Sequence, residues 1–401
     1  MTALKHRSSW LSKEFLFGAL NKDLWIIFLS NMLVSFGDGL YFYVWPLYIR
    51  SEELGGTPGD VGIIYSVLGL ASALTPLIGG FLADKYDRKK LMILAFSIWV
   101  PVPLMFSLVN NWNQLILPSI LYGCFIGGPA ASAYVATAAR KEKMAITFTT
   151  ISASWSLGYI FSPGIGSYLA TVIGMRPVFY IAFILFVLAT AALFFVRSQH
   201  ATTHFSNIRE SSTSFSLKKI FGWAFFFAAI FFMVTLFRPC IPQFIKDVYG
   251  PIYGYSDFHV GIFGSITFFG SFVSAIGLGK IGDKWKKATA ILIALIISVA
   301  SIGLLISFGD FVILAFSSYL MGASYVIWSL MGALIGSLAP EASRGRWMSV
   351  AQTAALLAAF PSPYIGGRLY EASPYNPFLV AMVATPILAI IALAVALKKE
   401  E

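Results

Sequence analysis

Charged residues are scarce in this chain of 401 residues. Asp, Glu, Lys and Arg make up only 11% of it, whereas about a quarter of the residues in soluble domains are charged. Hydrophobic residues account for 58%, and the mean hydropathy is +0.79. This composition excludes an ordinary soluble domain and predicts that most of the chain lies within a lipid bilayer.

Residues typical of metal, disulfide and nucleotide sites are few as well. The two cysteines, Cys124 and Cys240, lie in apolar stretches without a CxxC pattern, and the four histidines lack metal-ligand spacing. The sequence has no P-loop, and no GxGxxG follows a strand-like pattern. We therefore expect no metal site, no cofactor, no ATP-driven pumping and no enzyme activity.

Long apolar runs fill most of the sequence instead. Crossing a hydrocarbon layer of about 30 Å takes about 20 apolar residues in a helix, and lipid offers the backbone no other hydrogen-bond partners. We predict an all-α membrane protein with twelve transmembrane helices, at approximately 23–49, 59–82, 90–109, 113–138, 144–172, 176–196, 220–246, 257–280, 288–308, 311–338, 347–370 and 376–397.

Lys and Arg are distributed unevenly among the predicted loops. If the N-terminus is cytoplasmic, 23 of the 28 lie on the cytoplasmic side, 4 lie on the opposite side and Arg238 lies within a helix. Because Lys and Arg concentrate in cytoplasmic loops, both termini are predicted to be cytoplasmic in an inner or plasma membrane. The asymmetry also explains the net charge of +10 without a nucleic-acid partner.

The chain divides at one polar stretch, residues 197–219, which is too polar to form a core and is predicted to be a cytoplasmic linker. Residues 1–196 and 220–401 then each hold six helices. The two parts repeat parallel to one another: Asp84 matches Asp283 at an offset of 199, and Pro163 matches Pro363 at an offset of 200. Such six-plus-six repeats are typical of transporters that bind substrate near the membrane midplane.

The loop at residues 79–90, with the sequence GGFLADKYDRKK, resembles the loop motif of the major facilitator superfamily of secondary transporters, and the resemblance covers nearly the whole chain. Asp87 stands where the family usually has a second glycine. The resemblance implies that this loop latches the cytoplasmic side when the transporter faces outward. The residues that correspond to the motif and its repeat are Gly80, Asp84, Arg88, Lys89 and Asp283.

A second motif in the predicted fifth helix resembles the antiporter motif of the same superfamily. It contains Gly158, Pro163 and Gly166, and Pro363 and Gly366 repeat it in the eleventh helix. Small residues let helices approach closely and proline bends them, so helix packing alone and an antiporter role both remain open. Ser119 stands where drug/proton antiporters of the superfamily carry an arginine, so their proton relay does not transfer directly.

Two charges, Asp38 and Arg238, fall deep inside apolar spans. A charge at the membrane centre costs about 2.5 to 3.5 kcal/mol on insertion scales, which favours a functional role. We predict that Asp38 couples transport to a proton or cation, and that Arg238 is its counter-charge or an anion anchor. The alternative is a permanent ion pair between the two that only fixes helix packing.

Aromatic side chains on the presumed cavity-lining spans suit lipophilic or cationic compounds. The predicted cavity residues are Tyr41, Trp45, Tyr122, Tyr134, Phe232, Tyr319, Tyr325 and Trp328.

Together these features predict a secondary active transporter that works by alternating access and exports lipophilic or drug-like compounds in exchange for protons. Its expected partners are a small-molecule substrate, protons and the lipid bilayer, and a monomer is expected. Three alternatives remain: an importer or exchanger of a small organic anion anchored by Arg238, a siderophore or lipid exporter, and a membrane sensor that binds ligand without transporting it.

Overall fold

The structure, a computed structural model, describes residues 20–140, 144–199, 217–338 and 344–397. Across these four ranges the regular secondary structure is helical and contains no strand. This confirms the predicted all-α class, and the reason is physical: lipid offers backbone groups no partners, and a helix pairs them within its own segment.

Twelve helical segments follow one another along the chain, and we number them α1 to α12. Those of the N-terminal part are α1 (Lys22–Phe42 and Trp45–Ile49), α2 (Pro58–Ala73 and Thr75–Lys85), α3 (Arg88–Trp99 and Pro101–Leu108), α4 (Ile116–Gly123 and Gly127–Ala138, after a 3-10 turn at Trp112–Leu115), α5 (Met144–Ile173) and α6 (Met175–Leu193).

The segments of the C-terminal part are α7 (Leu217–Phe237 and Cys240–Phe244, continued by a π turn at Ile245–Tyr249 and by Gly250–Tyr253), α8 (Asp257–Lys284), α9 (Lys287–Ser307), α10 (Phe311–Leu338), α11 (Arg344–Ala359 and Ser362–Ala372) and α12 (Asn376–Leu397).

Nine of the segments within the described ranges are long and apolar enough to cross a membrane. The remaining three segments are α5, α11 and α12, and the count of twelve membrane-spanning helices stays a prediction. So does the division into two halves, because most of the predicted linker at 197–219 lies outside the described residues.

Six of the helices that were predicted as continuous spans are interrupted. In α1, α2 and α3 the second piece begins with a proline in its first two positions, at Pro46, Pro76 and Pro101. A proline lacks the backbone N–H that a helix start leaves unpaired anyway, so it begins a new helix at little cost. Pro163, by contrast, lies inside the uninterrupted α5.

Polar residues define several helix starts. The side chain of Asn21 accepts a hydrogen bond from the backbone N–H of Leu24 at 2.9 Å, and Asp87 does the same for Lys90. Thr57 and Asp60 form a reciprocal capping box at the start of α2. These contacts satisfy N–H groups that have no partner within the helix.

The two ends of the bundle can be distinguished by their contacts. At the tail side, where α1 begins, Asn21 bonds to the carbonyl of Ala138, and Lys89 bonds to that of Phe194 at 2.7 Å. At the opposite end, which we call the far side, Trp112 bonds to Leu54 and Tyr255 bonds to Gly309. Successive helices therefore alternate in direction between the two sides.

The six hydrogen bonds described between the N-terminal and C-terminal parts all lie in the half of the bundle nearer the far side. They include a 2.6 Å ion pair between Arg50 and Asp247. The others join Arg50 to Gln243, Gly59 to Glu371, Tyr364 to Ser66, Gly164 to Ser265 and Ser167 to Phe258. These contacts close the far side of the bundle.

Candidate functional site

A cavity of about 230 Å³ lies where α1, α2, α7, α10 and α11 meet, between the N-terminal and C-terminal parts. Its wall is mostly apolar and aromatic, with Phe42 and Tyr65 on one side and Phe231 and Phe360 on the other. Arg238 is the one charged residue among the described residues that line it. The cavity therefore combines an apolar surface with a single positive charge.

Helix interruptions position this cavity. The break in α7 falls at Arg238 and Pro239, and the break in α11 falls between Ala359 and Ser362, at the level of Phe360. Interrupted helices bend, and they free backbone groups only where a cavity or protein can satisfy them. The sequence thus places the charged Arg238 at a bend rather than in the middle of a regular helix.

Arg238 has few partners for a guanidinium group inside a membrane protein. One terminal nitrogen donates to the carbonyl oxygen of Ser324 at 2.8 Å, and the guanidinium carbon lies 3.8 Å from the ring centroid of Tyr325. Its Nε is buried and has no hydrogen-bond partner. Within the described part of the chain, no carboxylate forms an ion pair with this side chain.

Asp38 lies outside the cavity wall and is fully buried, with 0% of its surface exposed. Its Oδ2 accepts hydrogen bonds from the hydroxyl of Tyr122 at 2.7 Å and from that of Tyr159. Its Oδ1 has no hydrogen-bond partner of good geometry within the described ranges. Asp38 and Arg238 do not form an ion pair with each other, so the permanent-pair alternative has no contact to support it.

Aromatic rings connect Asp38 to the cavity. The ring of Tyr122 stacks on Phe42, a cavity residue, with centroids 6.1 Å apart. On the other side, the ring centroids of Tyr159 and Phe268 are 4.7 Å apart. Those of Phe268 and Tyr325 are 5.3 Å apart, and the ring of Tyr325 lies beneath Arg238. A ligand that displaces these rings would therefore also change the hydrogen bonds to the buried carboxyl group.

Of the eight predicted cavity residues, only Tyr325 is found in the cavity wall. Tyr41 packs on Phe106 and Phe179 in the core of the N-terminal part, and Tyr122 bonds to Asp38 instead. The remaining five also lie elsewhere. Three of them pack against other rings: Trp45 on Phe106, Tyr319 on Phe269, and Trp328 on Phe227 and Phe231. Tyr134 donates to the carbonyl of Arg197 at the tail side, and Phe232 borders a separate recess between α7 and α12.

The loop motif holds the tail side of the N-terminal part together. Arg88 donates to the carbonyl of Ala133, to Thr137 and to the side chain of Gln199 at 2.8 Å. A Cβ built at Gly80 meets no atom within 4 Å, and Asp283 is exposed at the end of α8. The side chain of Asp84 lies outside the described residues. The latch role that the resemblance implies stays a prediction, since the hydrogen bonds described for Arg88 and Lys89 remain within one part.

The glycines of the second motif lie where helices touch. A Cβ built at Gly158 would overlap the side chain of Ser35, and one at Gly166 would overlap the carbonyl oxygen of Leu40. One built at Gly366 would overlap the carbonyl of Leu236. Close packing of α5 on α1, and of α11 on α7, accounts for these glycines. Pro363 lines the cavity.

Several residues of the site were not identified from the sequence. Tyr159, a partner of Asp38, follows Gly158 directly, but nothing distinguishes it from the other 17 tyrosines. Arg50 and Asp247 could have been noticed, because only four Lys or Arg residues were predicted on the far side, and because Arg50 ends the segment PLYIR while Asp247 directly follows its repeat PQFIK.

Comparison with known proteins agrees with this architecture. A family profile described as "Major Facilitator Superfamily" matches residues 27–251 and 223–401. The chain is 29% identical over 291 residues to the multidrug resistance protein MdtG of Salmonella paratyphi A, covering 69% of this chain and 71% of that protein. It shows the same identity to MdtG of Enterobacter lignolyticus, covering 69% of this chain and 68% of that protein.

A solved structure, that of the nucleoside transporter NupG, has a similar fold with a TM-score of 0.75 at 15% identity, covering 94% of this chain and all of the other. The fold class and the family resemblance are both confirmed by these matches. The chain belongs to the major facilitator superfamily of membrane transporters.

Proposed function

We propose that this protein exports lipophilic, drug-like compounds by alternating access, driven by protons that bind and leave Asp38. The single observation that carries the proposal is the buried Asp38 carboxyl group, which contacts no cationic side chain among the described residues and is joined by aromatic rings to an apolar cavity. The similarity to proteins named for multidrug resistance supports the export of drug-like compounds.

The surroundings of Asp38 suit a proton site. Burying an ionised carboxylate without a counter-ion is costly, and two tyrosine hydroxyls replace only part of its hydration. A carboxyl group so placed carries a proton while the site is dry and releases it when water enters. Because Tyr122 and Tyr159 contact both Asp38 and the rings near the cavity, substrate binding and proton release act on the same groups.

The cavity size bears on the alternatives. At about 230 Å³ it is smaller than the 300 to 1,000 Å³ of most ligand pockets, so in this state of the protein it fits a small drug-like compound rather than a large siderophore. A measurement of flux distinguishes a sensor from a transporter, since a sensor binds its ligand without moving it across the membrane.

The experiment that tests this function is proton-driven uptake into proteoliposomes. A fluorescent lipophilic compound is supplied outside vesicles that are acidic inside, with valinomycin and potassium holding the membrane potential at zero. Exporters oriented inside out should then accumulate it. Accumulation that collapses when nigericin removes the pH gradient supports the proposal. Tight binding without any flux would favour the sensor, and flux that ignores the gradient would contradict proton coupling.

Alternating access requires the far side to open, which separates the ion pair between Arg50 and Asp247. Reversing one charge, in Arg50→Asp or Asp247→Arg, places like charges together across the contact that closes this side. The pair is 24% and 30% exposed, so solvent weakens it, and we expect the open state to gain about 1 kcal/mol, or about fivefold in population. The double reversal should restore the wild-type balance.

Cys240 provides a native reporter for this opening. It is 1% exposed and begins the short helix that also holds Gln243, a partner of Arg50. In a Cys124→Ser background, a maleimide added from the far side should label Cys240 about five times faster in either single reversal. Equal labelling in all variants would mean that the ion pair does not hold the far side closed.

A further inference from the structure

Arg238 presents hydrogen-bond donors that the protein does not use. A guanidinium group has five N–H donors, and here one terminal nitrogen bonds to Ser324 while Nε has no partner. The side chain lines the cavity, and within the described chain no carboxylate neutralises it. A buried charge of this kind is usually paired, so the missing counter-charge suggests a ligand that supplies it.

A second donor without a partner lies in the same wall. The hydroxyl of Tyr43 is buried without a hydrogen-bond partner of good geometry among the described residues, and Tyr43 lines the cavity with Arg238. Thr235, also in the wall, shares a 2.5 Å hydrogen bond with Ser362. Two buried donors without described partners therefore belong to residues of one small cavity wall, which favours a ligand with acceptor oxygens.

The cavity is poorly suited to a cation. None of its described lining residues is acidic, and Arg238 repels a positive ligand. The face of Tyr325, which could hold a cation, is already covered by the guanidinium group 3.8 Å from its centroid. A lipophilic cation would therefore meet a like charge without a compensating carboxylate.

The rest of the wall suits an apolar body. Phe42, Tyr65, Phe231 and Phe360 surround the space next to Arg238, and aromatic walls of this kind bind rings and alkyl chains. We propose that the cavity binds amphipathic organic anions, in which a carboxylate, phosphonate or sulfonate group contacts Arg238 and an aromatic or aliphatic body contacts these rings. This inference rests on the proposed function, since it takes the cavity to be the transport site.

The charge of the substrate changes what drives transport. If one proton enters for each substrate exported, an anion leaving the cell and a proton entering it move two elementary charges in the same electrical sense. The same exchange with a monovalent cation moves no net charge. An inside-negative membrane potential therefore assists the export of an anion, in addition to the pH gradient.

The test compares three probes with one aromatic body on the purified full-length protein: phenylbutyrate, phenylbutyramide and phenylbutylammonium. Dissociation constants are taken from the ligand dependence of the melting temperature. We expect phenylbutyrate to bind at least about tenfold more tightly than the other two, because only its carboxylate brings the negative charge that pairs with Arg238. Tighter binding of the ammonium probe, or equal binding of all three, would overturn the proposal.

Variants of Arg238 test whether the preference for phenylbutyrate depends on this side chain. Arg238→Gln should weaken phenylbutyrate binding by about tenfold and leave phenylbutyramide binding unchanged, whereas Arg238→Lys should give an intermediate loss. An equal loss for both probes would mean that Arg238 only supports the fold. The comparison of probes on the wild-type protein stands even if a variant does not fold.

This binding experiment is independent of transport. Anion binding at Arg238 without proton-driven flux would overturn the proposed function and leave the anion site intact. Proton-driven flux of a lipophilic cation, with no binding of phenylbutyrate, would overturn the anion site and leave proton-coupled export intact.

Discussion

Replacing Asp38 with asparagine is expected to abolish proton-driven accumulation and to leave the protein folded. Asparagine has nearly the same shape, and its carbonyl oxygen can accept the hydrogen bonds of Tyr122 and Tyr159. It cannot bind and release a proton at any pH used for transport. Because no cationic side chain of the described ranges contacts Asp38, its neutralisation leaves no partner charge there unpaired, unlike the loss of one member of a buried ion pair.

The size of the effect follows from the gradient. Each tenfold difference in proton concentration is worth about 1.4 kcal/mol, so a difference of two pH units drives up to about a hundredfold accumulation at one proton per substrate. In Asp38→Asn proteoliposomes the ratio of inside to outside concentration should fall to about 1, as expected for uncoupled equilibration. The measurement is uptake at zero membrane potential, with the melting temperature recorded for the same preparation.

Asp38→Glu is the matched control for this result. It keeps a titratable carboxyl group but adds a methylene to a site with no exposed surface, so transport should be slower and still coupled. Tyr159→Phe removes one of the two donors and should change the pH dependence of uptake without abolishing accumulation. If Asp38→Asn still accumulates substrate against a gradient, the coupling group lies elsewhere.

The two transmembrane charges were identified from the sequence because charge is so rare in the spans, but their relation to each other was not. At the offset of 196 that matches Pro46 to Pro242, Asp38 corresponds to Val234 and Arg238 corresponds to Phe42. Val234 is buried in the core of its own part, as Asp38 is, whereas Phe42 lines the cavity, as Arg238 does. Two charges on equivalent helices therefore need not meet.

The helices themselves were predictable almost to their ends. The spans predicted at 257–280 and 288–308 lie within four residues of the observed helices Asp257–Lys284 and Lys287–Ser307. Their long apolar runs and the short polar loops between them indicate the boundaries, because a helix satisfies every backbone group within its own segment in lipid.

The cavity wall was much harder to predict than the helices. In a soluble protein the apolar stripe of a helix indicates its buried face, but these helices are apolar on every side. With aromatic residues forming 16% of the chain, a tyrosine or tryptophan can face lipid, core or cavity equally well. Trp45 and Trp328 therefore looked like cavity residues in the sequence and pack against other rings in the structure.

The repeat can be seen again in the contacts between helices. Gly166 of α5 approaches Leu40 of α1, and Gly366 of α11 approaches Leu236 of α7. The two glycines differ by 200 in number and the two leucines by 196, which are the same offsets that relate the sequence motifs. The equivalence supports the interpretation of both glycines as positions where a backbone must come close to a neighbouring backbone.

Introducing a single methyl group at Gly166 should therefore destabilise the protein strongly. In Gly166→Ala the new Cβ overlaps a backbone carbonyl of α1, and a backbone atom cannot turn aside as a side chain can. Overpacking usually costs about 1 to 3 kcal/mol, and a clash with backbone at the centre of a helix pair belongs at or above the upper end. We expect a large fall in the melting temperature, and the same for Gly366→Ala at the equivalent contact.

Gly128→Ala and Gly80→Ala are the matched controls, because a Cβ built at either position meets no atom within 4 Å. Both should melt close to the wild type, and the replacement of a helical glycine by alanine favours the helix by up to about 1 kcal/mol. If Gly166→Ala had the same melting temperature as these controls, α5 and α1 would have to lie further apart than they do in the structure. Since Asp38 lies on α1 and its partner Tyr159 on α5, the spacing that Gly166 permits also sets the hydrogen bond on which the proposed proton site depends.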